Sequence, residues 1–153
     1  MLFEFTEEQL MIKQAAKDFA INECLPGVIE RDEHQKFPKL ADLGFMGMMV
    51  KPEYGESGMD TISYVLAMEE ISKVDASVSV CVSVNNSLVC YGLQEYATEE
   101  QKQQYLKPLA QGKKDGELYI GAFLLSEPEA GSDATSQRTT AEDKGDHYLL
   151  NGT

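Results

Sequence analysis

The sequence predicts a mainly helical domain at residues 1–115, followed by the first strands of a β domain at residues 116–153. Two copies of one short motif, each followed by apolar residues at helical spacing, predict the helices. The string TEEQ occurs at Thr6–Gln9 and again at Thr98–Gln101, and each copy precedes apolar residues at helical spacing. In each copy the threonine and the glutamine three residues later fit a capping box, which starts a helix. The strands are predicted because, after Gly116, the apolar residues occur in short runs rich in β-forming residues.

Length and charge restrict the class of protein. The chain has 153 residues with 26 acidic and 13 basic side chains, a net charge of −13. Such a length suits one domain, or a domain with part of a second. The negative charge argues against nucleic-acid and anionic-lipid partners, because these are neutralised by lysine and arginine. No apolar run approaches the ~18 residues of a membrane span, and the acidic N-terminus does not resemble a signal peptide. We therefore expect a cytoplasmic protein without a membrane span.

The first helix is predicted from Thr6 to about Glu23. Its apolar residues form two adjacent rows at i+4 spacing, namely Met11, Ala15 and Phe19, and Ile12, Ala16 and Ala20. Pro26 ends this helix and opens a short second helix, and Pro38 opens a third that extends to Phe45.

The segment 46–59 has the composition of a loop, and Asp60 then caps a helix that extends to about Val74. The next stretch, DASVSVCVSVNNSLVCYGL, alternates valine with serine and cysteine. By this period alone it is a half-buried strand. The helix that opens at Thr98 is predicted to end at Gly112.

Three strands are predicted in the β region. Leu118–Leu125 is a continuous apolar run that indicates a buried strand, and the residues 139–141 and 147–150 are two further candidates. The three cysteines, Cys24, Cys81 and Cys90, lack a C-x-x-C pair and zinc-ligand spacing to His34 or His147. We expect buried or partly buried thiols and no metal site.

The most informative stretch is Gly121–Asp133, with the sequence GAFLLSEPEAGSD. It combines a strand that ends at a hydroxyl residue, a turn through proline and a glycine where a ligand can approach the backbone. Unpaired backbone groups beyond such a strand can bind a planar heterocycle. An ordinary turn between strands is the alternative interpretation.

The chain resembles the N-terminal part of the acyl-CoA dehydrogenases, flavoproteins that oxidise the Cα–Cβ bond of acyl-CoA thioesters, and in particular their short-chain or butyryl-like group. Six motifs occur in the order of that family: FTEEQLMIKQAAKDFA, KPEYGESGMD, AMEEISKVDAS, ATEEQKQQYLKPLAQG, LSEPEAGSD and YLLNGT. In the family the valine-rich stretch is helical, so we predict a helix there. The resemblance also implies a truncated chain, without the C-terminal helical domain.

The resemblance implies FAD as the cofactor and assigns residues to it. In the family the main chain at the positions of Phe123 and Leu125 and the hydroxyl at Ser126 contact the isoalloxazine ring, where a hydroxyl helps to stabilise the charge that arrives with the hydride. The serine at the position of Ser132 touches the coenzyme A portion of the substrate. An alternative for Ser132 is a turn serine. The predicted cofactor-binding residues are Phe123, Leu125, Ser126, Gly131 and Ser132, and Ser132 is also the predicted substrate-binding residue.

Two further groups are weaker candidates. Cys81, Asn85 and Leu88 fall where related enzymes line the acyl-chain pocket, and core packing is the alternative. Arg138 could offer a positive charge to a phosphate, although a single arginine after a turn is usually solvated.

We predict no catalytic residue in the chain. The family removes the α-proton with a glutamate of the C-terminal helical domain, and none of the 26 carboxylates matches it. Glu127 is interpreted as a structural or solvated carboxylate. We therefore expect the fragment alone to be inactive.

The resemblance implies that the full-length protein binds an acyl-CoA substrate, passes electrons to an electron-transferring flavoprotein and forms a homo-oligomer, commonly a homotetramer. Two alternatives stay open: a fragment of an acyl-CoA oxidase, which returns electrons to oxygen, and a stand-alone helical interaction module without flavin.

Overall fold

The computed structural model of the chain describes residues 4–34, 40–55 and 57–153. They form two compact units, a helical unit at Met1–Ala122 and a β unit at Phe123–Thr153. The predicted fold class is confirmed, since the structure is mainly helical with short antiparallel strands towards its C-terminal end. The domain boundary after residue 115 stays a prediction.

The first helix, α1 (Glu7–Phe19), begins at the predicted capping box. Gln9 N donates to Thr6 Oγ1 over 3.2 Å, and Thr6 N donates to Gln9 Oε1 over 3.0 Å. The helix continues as a π-helical stretch, Ala20–Cys24. A short helix, α2 (Val28–His34), follows as predicted. The described part of the predicted third helix is a 3-10 turn at Leu40–Leu43, while residues 38 and 39 lie outside the described residues.

Helix α3 (Thr61–Ser72) is capped by Asp60, as predicted. Ser63 N donates to Asp60 Oδ1 over 2.6 Å, and the Gln9 side chain donates to Asp60 Oδ2 over 3.0 Å. The capping carboxylate therefore also ties the start of α1 to the start of α3. These hydrogen bonds from Ser63 and Gln9 lower the pKa of Asp60.

The valine-rich stretch is helical, and the predicted helix is confirmed. It consists of α4 (Ala76–Ser83), a π-helical stretch (Val84–Cys90) and α5 (Tyr91–Tyr96). This continuous helix is long and apolar enough to cross a membrane by length and composition, a criterion that core helices of soluble proteins also meet. Its residues at helical spacing are buried in the protein: Val78, Val82, Asn85, Asn86 and Cys90.

The second capping box opens the last helical stretch of this unit. Gln101 N donates to Thr98 Oγ1 over 3.3 Å, and α6 (Glu99–Gln101) continues through a π-helical stretch, Lys102–Leu106, into α7 (Lys107–Gln111). Gly112 ends the helix with a φ of +66°, and a Cβ there would lie 2.6 Å from Met46 Cγ. Both the backbone conformation and the packing require glycine at this position.

Two apolar cores stabilise the helical unit. The first core contains Phe19, Phe45 and Ile71, among others, and joins α1, α3 and α4. The second core contains Cys90, Leu106 and Leu109, and joins the valine-rich helix to the last helical stretch.

The strands are shorter than predicted in one place. The pair β1 (Lys113–Lys114) and β2 (Glu117–Leu118) is antiparallel, as is the pair β3 (Thr140–Asp143) and β4 (Tyr148–Asn151). The predicted strands near residues 139–141 and 147–150 are thus confirmed. The prediction of a buried strand at Leu118–Leu125 is wrong, because only its first residue has a ladder partner and its side chains from Phe123 to Leu125 are exposed.

Replacing Asp60 with asparagine is expected to weaken the loss of stability in acid. Asparagine is an equally good helix cap. The pKa of Asp60 is lowered in the folded protein, so the ionised carboxylate contributes to the free energy of unfolding. This contribution is complete above the ordinary aspartate pKa of about 4 and is lost as the pH falls through the lowered pKa. Urea midpoints measured over this acidic range should therefore change less with pH in D60N than in the wild type. Equal pH dependence of the two proteins would contradict this role.

Candidate functional site

The chain leaves the helical unit through a short anchored segment, Tyr119–Gly121. Tyr119 N donates to Gly112 O over 2.9 Å, and the Tyr119 side chain packs on the second core. The Ile120 side chain packs on the first core. Gly121 N donates to Asn85 Oδ1 over 2.9 Å. Three successive residues are therefore each held by a different part of the helical unit.

The segment Phe123–Ser126 carries three of the predicted cofactor residues and is open. Its apolar side chains are exposed, with 50% of Phe123, 89% of Leu124 and 42% of Leu125 accessible to solvent. In the part of the chain that the structure describes, no hydrogen bond reaches the backbone amides of Phe123 and Leu125. The Leu125 carbonyl accepts from the Gln137 side chain. The amides are thus available to a ligand.

The turn after this segment is closed by Glu127. Glu127 and Ala130 exchange two backbone hydrogen bonds of 3.1 Å, and Ala130 is fully buried. The Glu127 carboxylate accepts from the backbone amides of Arg138, over 2.6 Å, and Thr139, over 3.0 Å. Its hydrogen bonds with Thr139 and Arg138 lower the pKa of Glu127. The interpretation of Glu127 as a structural carboxylate is confirmed.

Gly131 and Ser132 follow the turn on its exposed side. A Cβ built on Gly131 would meet no atom within 4 Å, and the residue does not have a positive φ. Nothing in the described chain therefore requires glycine there, and the space beside it is open to a ligand. Asp133 caps the short 3-10 helix Ala134–Ser136, so this neighbouring carboxylate is occupied by the chain itself.

Leu125 and Ser126 line an open groove of about 600 Å³ in the β unit. The groove is bordered by the ends of the strands, through residues such as Thr139 and Leu150. Phe123, Gly131 and Ser132 are not among its lining residues. The structure thus brings two of the predicted cofactor residues into one groove and places the other three beside it along the chain.

The donor set of this region fits FAD. An isoalloxazine ring is planar, with hydrogen-bonding atoms at one edge and apolar faces. The unpaired amides of Phe123 and Leu125 suit the edge, and the exposed apolar side chains suit the faces. Among the described residues, the exposed hydroxyls of Ser126 and Ser132 likewise form no hydrogen bond.

The weaker candidates separate into different environments. Asn85 is fully buried with its amide engaged in the core, which favours the core alternative for this residue, whereas Cys81 is partly buried and Leu88 is 43% exposed. Arg138 forms a solvent-exposed ion pair with Glu129 over 2.5 Å. This pairing agrees with a solvated arginine.

None of the three cysteines is in a disulfide bond. Cys24 and Cys90 are buried and Cys81 is partly buried, as predicted. Burial raises the pKa of Cys24 to about 11 and also raises the pKa of Cys81, so both stay protonated near neutral pH. No group of three histidine, cysteine, aspartate or glutamate side chains within the described ranges is arranged to hold a metal ion.

Sequence reasoning missed the contact between Asn85 and Gly121. The two residues lie 36 positions apart, and no local motif connects them. The one available signal is an asparagine in an otherwise apolar helix, since a buried amide must find partners.

The fold and the open segment together define a class of protein in which a helical domain is followed by the start of a β domain with an exposed stretch of main chain. Comparison with known proteins gives the family. The family model described as "Acyl-CoA dehydrogenase, N-terminal domain" matches residues 6–113. The chain therefore belongs to the acyl-CoA dehydrogenase family.

Individual relatives agree with this membership. The chain is 44% identical to the short-chain specific acyl-CoA dehydrogenase of Clostridium acetobutylicum, over 99% of this chain and 40% of that protein. A chain in the solved structure of the electron transferring flavoprotein of Acidaminococcus fermentans is 45% identical, with a TM-score of 0.88, over 99% of this chain and 40% of that one. The acyl-CoA dehydrogenase of Bacillus anthracis, solved with FAD, is 30% identical, with a TM-score of 0.83. The match covers 97% of this chain and 26% of that one. The chain thus spans less than half the length of these relatives.

Proposed function

We propose that this chain is the N-terminal part of a flavin-dependent acyl-CoA dehydrogenase that oxidises the Cα–Cβ bond of short-chain acyl-CoA thioesters. One observation carries the proposal: nearly the whole chain aligns, at 44% identity, with a short-chain specific acyl-CoA dehydrogenase. The open segment Phe123–Ser126 supports it, because the amides of Phe123 and Leu125 have no hydrogen-bond partner among the described residues and are available to a flavin.

In this proposal the residues of this chain bind and orient the flavin and the substrate. The amides of Phe123 and Leu125 would hold the ring by hydrogen bonds, and the Ser126 hydroxyl would donate a further hydrogen bond to it. FAD, when bound, supplies the acceptor for the β-hydride. Ser132 contacts the coenzyme A portion of the substrate. A carboxylate base outside these 153 residues removes the α-proton.

We further propose that the whole enzyme is a cytoplasmic homo-oligomer that passes its electrons to an electron-transferring flavoprotein. The similarity to a chain in a solved electron transferring flavoprotein structure supports this partner. Electron transfer to oxygen, with release of hydrogen peroxide, would instead identify an acyl-CoA oxidase.

The experiment that tests the proposal compares the full-length protein with residues 1–153 alone. Butyryl-CoA added without oxygen is expected to bleach the flavin absorbance of the full-length protein. The same addition to residues 1–153 with FAD should give no turnover with an artificial acceptor, since the base is absent. Turnover by residues 1–153, or an unbleached full-length flavoprotein, would contradict the proposal. A colourless full-length protein that does not bind FAD would instead support the helical interaction module.

Two serine variants of the full-length protein separate the two binding roles. S126A is expected to weaken FAD binding by up to roughly tenfold, the value of one hydrogen bond, and to leave the KM for butyryl-CoA nearly unchanged. S132A is expected to raise that KM by a similar factor and to leave FAD affinity unchanged. Titration of apoprotein with FAD and steady-state kinetics measure the two quantities. Both serines are exposed, so each variant is also the folding control for the other.

A further inference from the structure

The side chain of Asn85 joins three distant parts of the helical unit. Its Nδ2 donates to Met46 O over 2.7 Å and to Leu109 O over 3.0 Å, while its Oδ1 accepts from Gly121 N over 2.9 Å. The residue is fully buried. Because both the donor and the acceptor atoms are engaged, the amide has a single orientation, and it fixes the position of Gly121 relative to the core.

The same helix also contacts Gly121 through Val89. A Cβ built on Gly121 would lie 2.5 Å from Val89 Cγ1 and 2.9 Å from Val89 Cβ and Cγ2. Any side chain at position 121 must therefore displace Val89 or the backbone. Since Val89 lies one turn after Asn85, a single face of the helix both bonds and packs against Gly121.

We infer that Asn85 and Gly121 are positioning residues for the flavin-binding segment: the bond between them fixes the point from which the main chain enters Phe123–Ser126. The inference rests on the proposed function, because it takes FAD as the ligand of that segment.

The physical reason is the short reach of the backbone. Gly121 lies two residues before Phe123, and a peptide chain has only two soft torsions per residue with which to absorb a displacement. Amide hydrogen bonds weaken beyond about 3.2 Å, so a shift of roughly 1 Å at the amide of Phe123 or Leu125 is enough to break its bond to a ring. Asn85 and Val89 restrict the chain at Gly121, which is the last residue before Phe123 with a hydrogen bond to the helical unit.

The first test introduces a steric clash between position 121 and Val89 in the full-length protein and then reduces it with a second substitution. G121A is expected to weaken FAD binding by about tenfold, the value of one displaced amide hydrogen bond. V89A alone should leave FAD affinity within about twofold of the wild type. G121A/V89A should recover part of the affinity, because it removes the two Val89 methyl groups that a Cβ would meet and leaves only the Val89 Cβ, 2.9 Å away. The measurement is titration of each apoprotein with FAD at a temperature where circular dichroism shows it to be folded.

The second test uses two neighbouring asparagines. Asn86 is buried like Asn85, but its Nδ2 donates to Phe45 O and Val82 O rather than supporting Gly121. Both N85A and N86A should lower the thermal midpoint, and only N85A should also weaken FAD binding by about tenfold, the value of one hydrogen bond. Asn86 is therefore the matched control for loss of a buried amide.

The outcomes separate this inference from the proposed function. The inference would be overturned by unchanged FAD affinity in G121A, by no recovery in G121A/V89A, or by an equal loss of affinity in N85A and N86A. In each of these cases the proposed function stands as long as the wild type binds FAD. A wild-type full-length protein without FAD affinity would overturn both.

Discussion

Replacing Arg31 with methionine is expected to lower the free energy of unfolding by about 3–5 kcal/mol. Arg31 Nε lies 3.1 Å from Asp75 Oδ2, and the two side chains are only 12% and 4% exposed. The guanidinium also donates to the carbonyls of Cys24 and Pro26, at the end of the first helical stretch. Asp75 in turn caps α4 through Val78 N, over 3.0 Å. Without Arg31, a buried carboxylate loses its counter-ion and two backbone carbonyls lose a donor.

The control for this prediction is an exposed ion pair in the same unit. Lys113 and Asp42 are paired, with about half of each side chain exposed (50% and 47%). K113M is expected to change the free energy of unfolding by no more than about 1 kcal/mol, because solvent screens exposed pairs. Urea denaturation followed by circular dichroism measures both variants. If R31M is no less stable than K113M, the buried pair does not have the stabilising role assigned to it.

Replacing Phe19 with alanine is expected to cost about 3–5 kcal/mol of stability, the usual range for a phenylalanine removed from a core. Phe19 is 3% exposed and lies in the first core, where its ring centroid is 5.1 Å from that of Phe45. The substitution removes this ring contact and leaves a cavity at the junction of α1 with the rest of the helical unit. A domain is stable by only about 5–15 kcal/mol, so the variant should unfold at a much lower urea concentration.

The same substitution at an exposed phenylalanine is the matched control. Phe5 is 48% exposed and precedes the capping box of α1. F5A should therefore change the urea midpoint much less than F19A does. Equal effects of the two substitutions would mean that the ring of Phe19 contributes no more than a surface side chain.

The helix starts were predictable because their signals are local. Thr6 and Gln9 satisfy each other's backbone amides, and Thr98 and Gln101 do the same, within a single turn. A capping box joins two residues three positions apart, so it does not depend on residues elsewhere in the chain. The cap at Asp60 has the same origin.

Two other predictions show where local pattern is insufficient. The valine alternation after Asp75 has the period of a strand, yet the stretch is helical, because its residues at positions 78, 82 and 86 are buried by the surrounding helices. The apolar run at Leu118–Leu125 also has the composition of a strand. It is not one beyond Leu118, since a strand requires a partner for its backbone and the described chain provides none there.

The sequence by itself determined the fold class, the helix caps and the family, because each depends on neighbouring residues or on ordered motifs. Only the tertiary structure decided which backbone groups stay open and how the segment that carries them is held. Asn85 makes its contacts with Met46, Leu109 and Gly121 across 24 to 39 positions of the chain. Partners at such separations are chosen by packing of the whole helical unit, which no local pattern records.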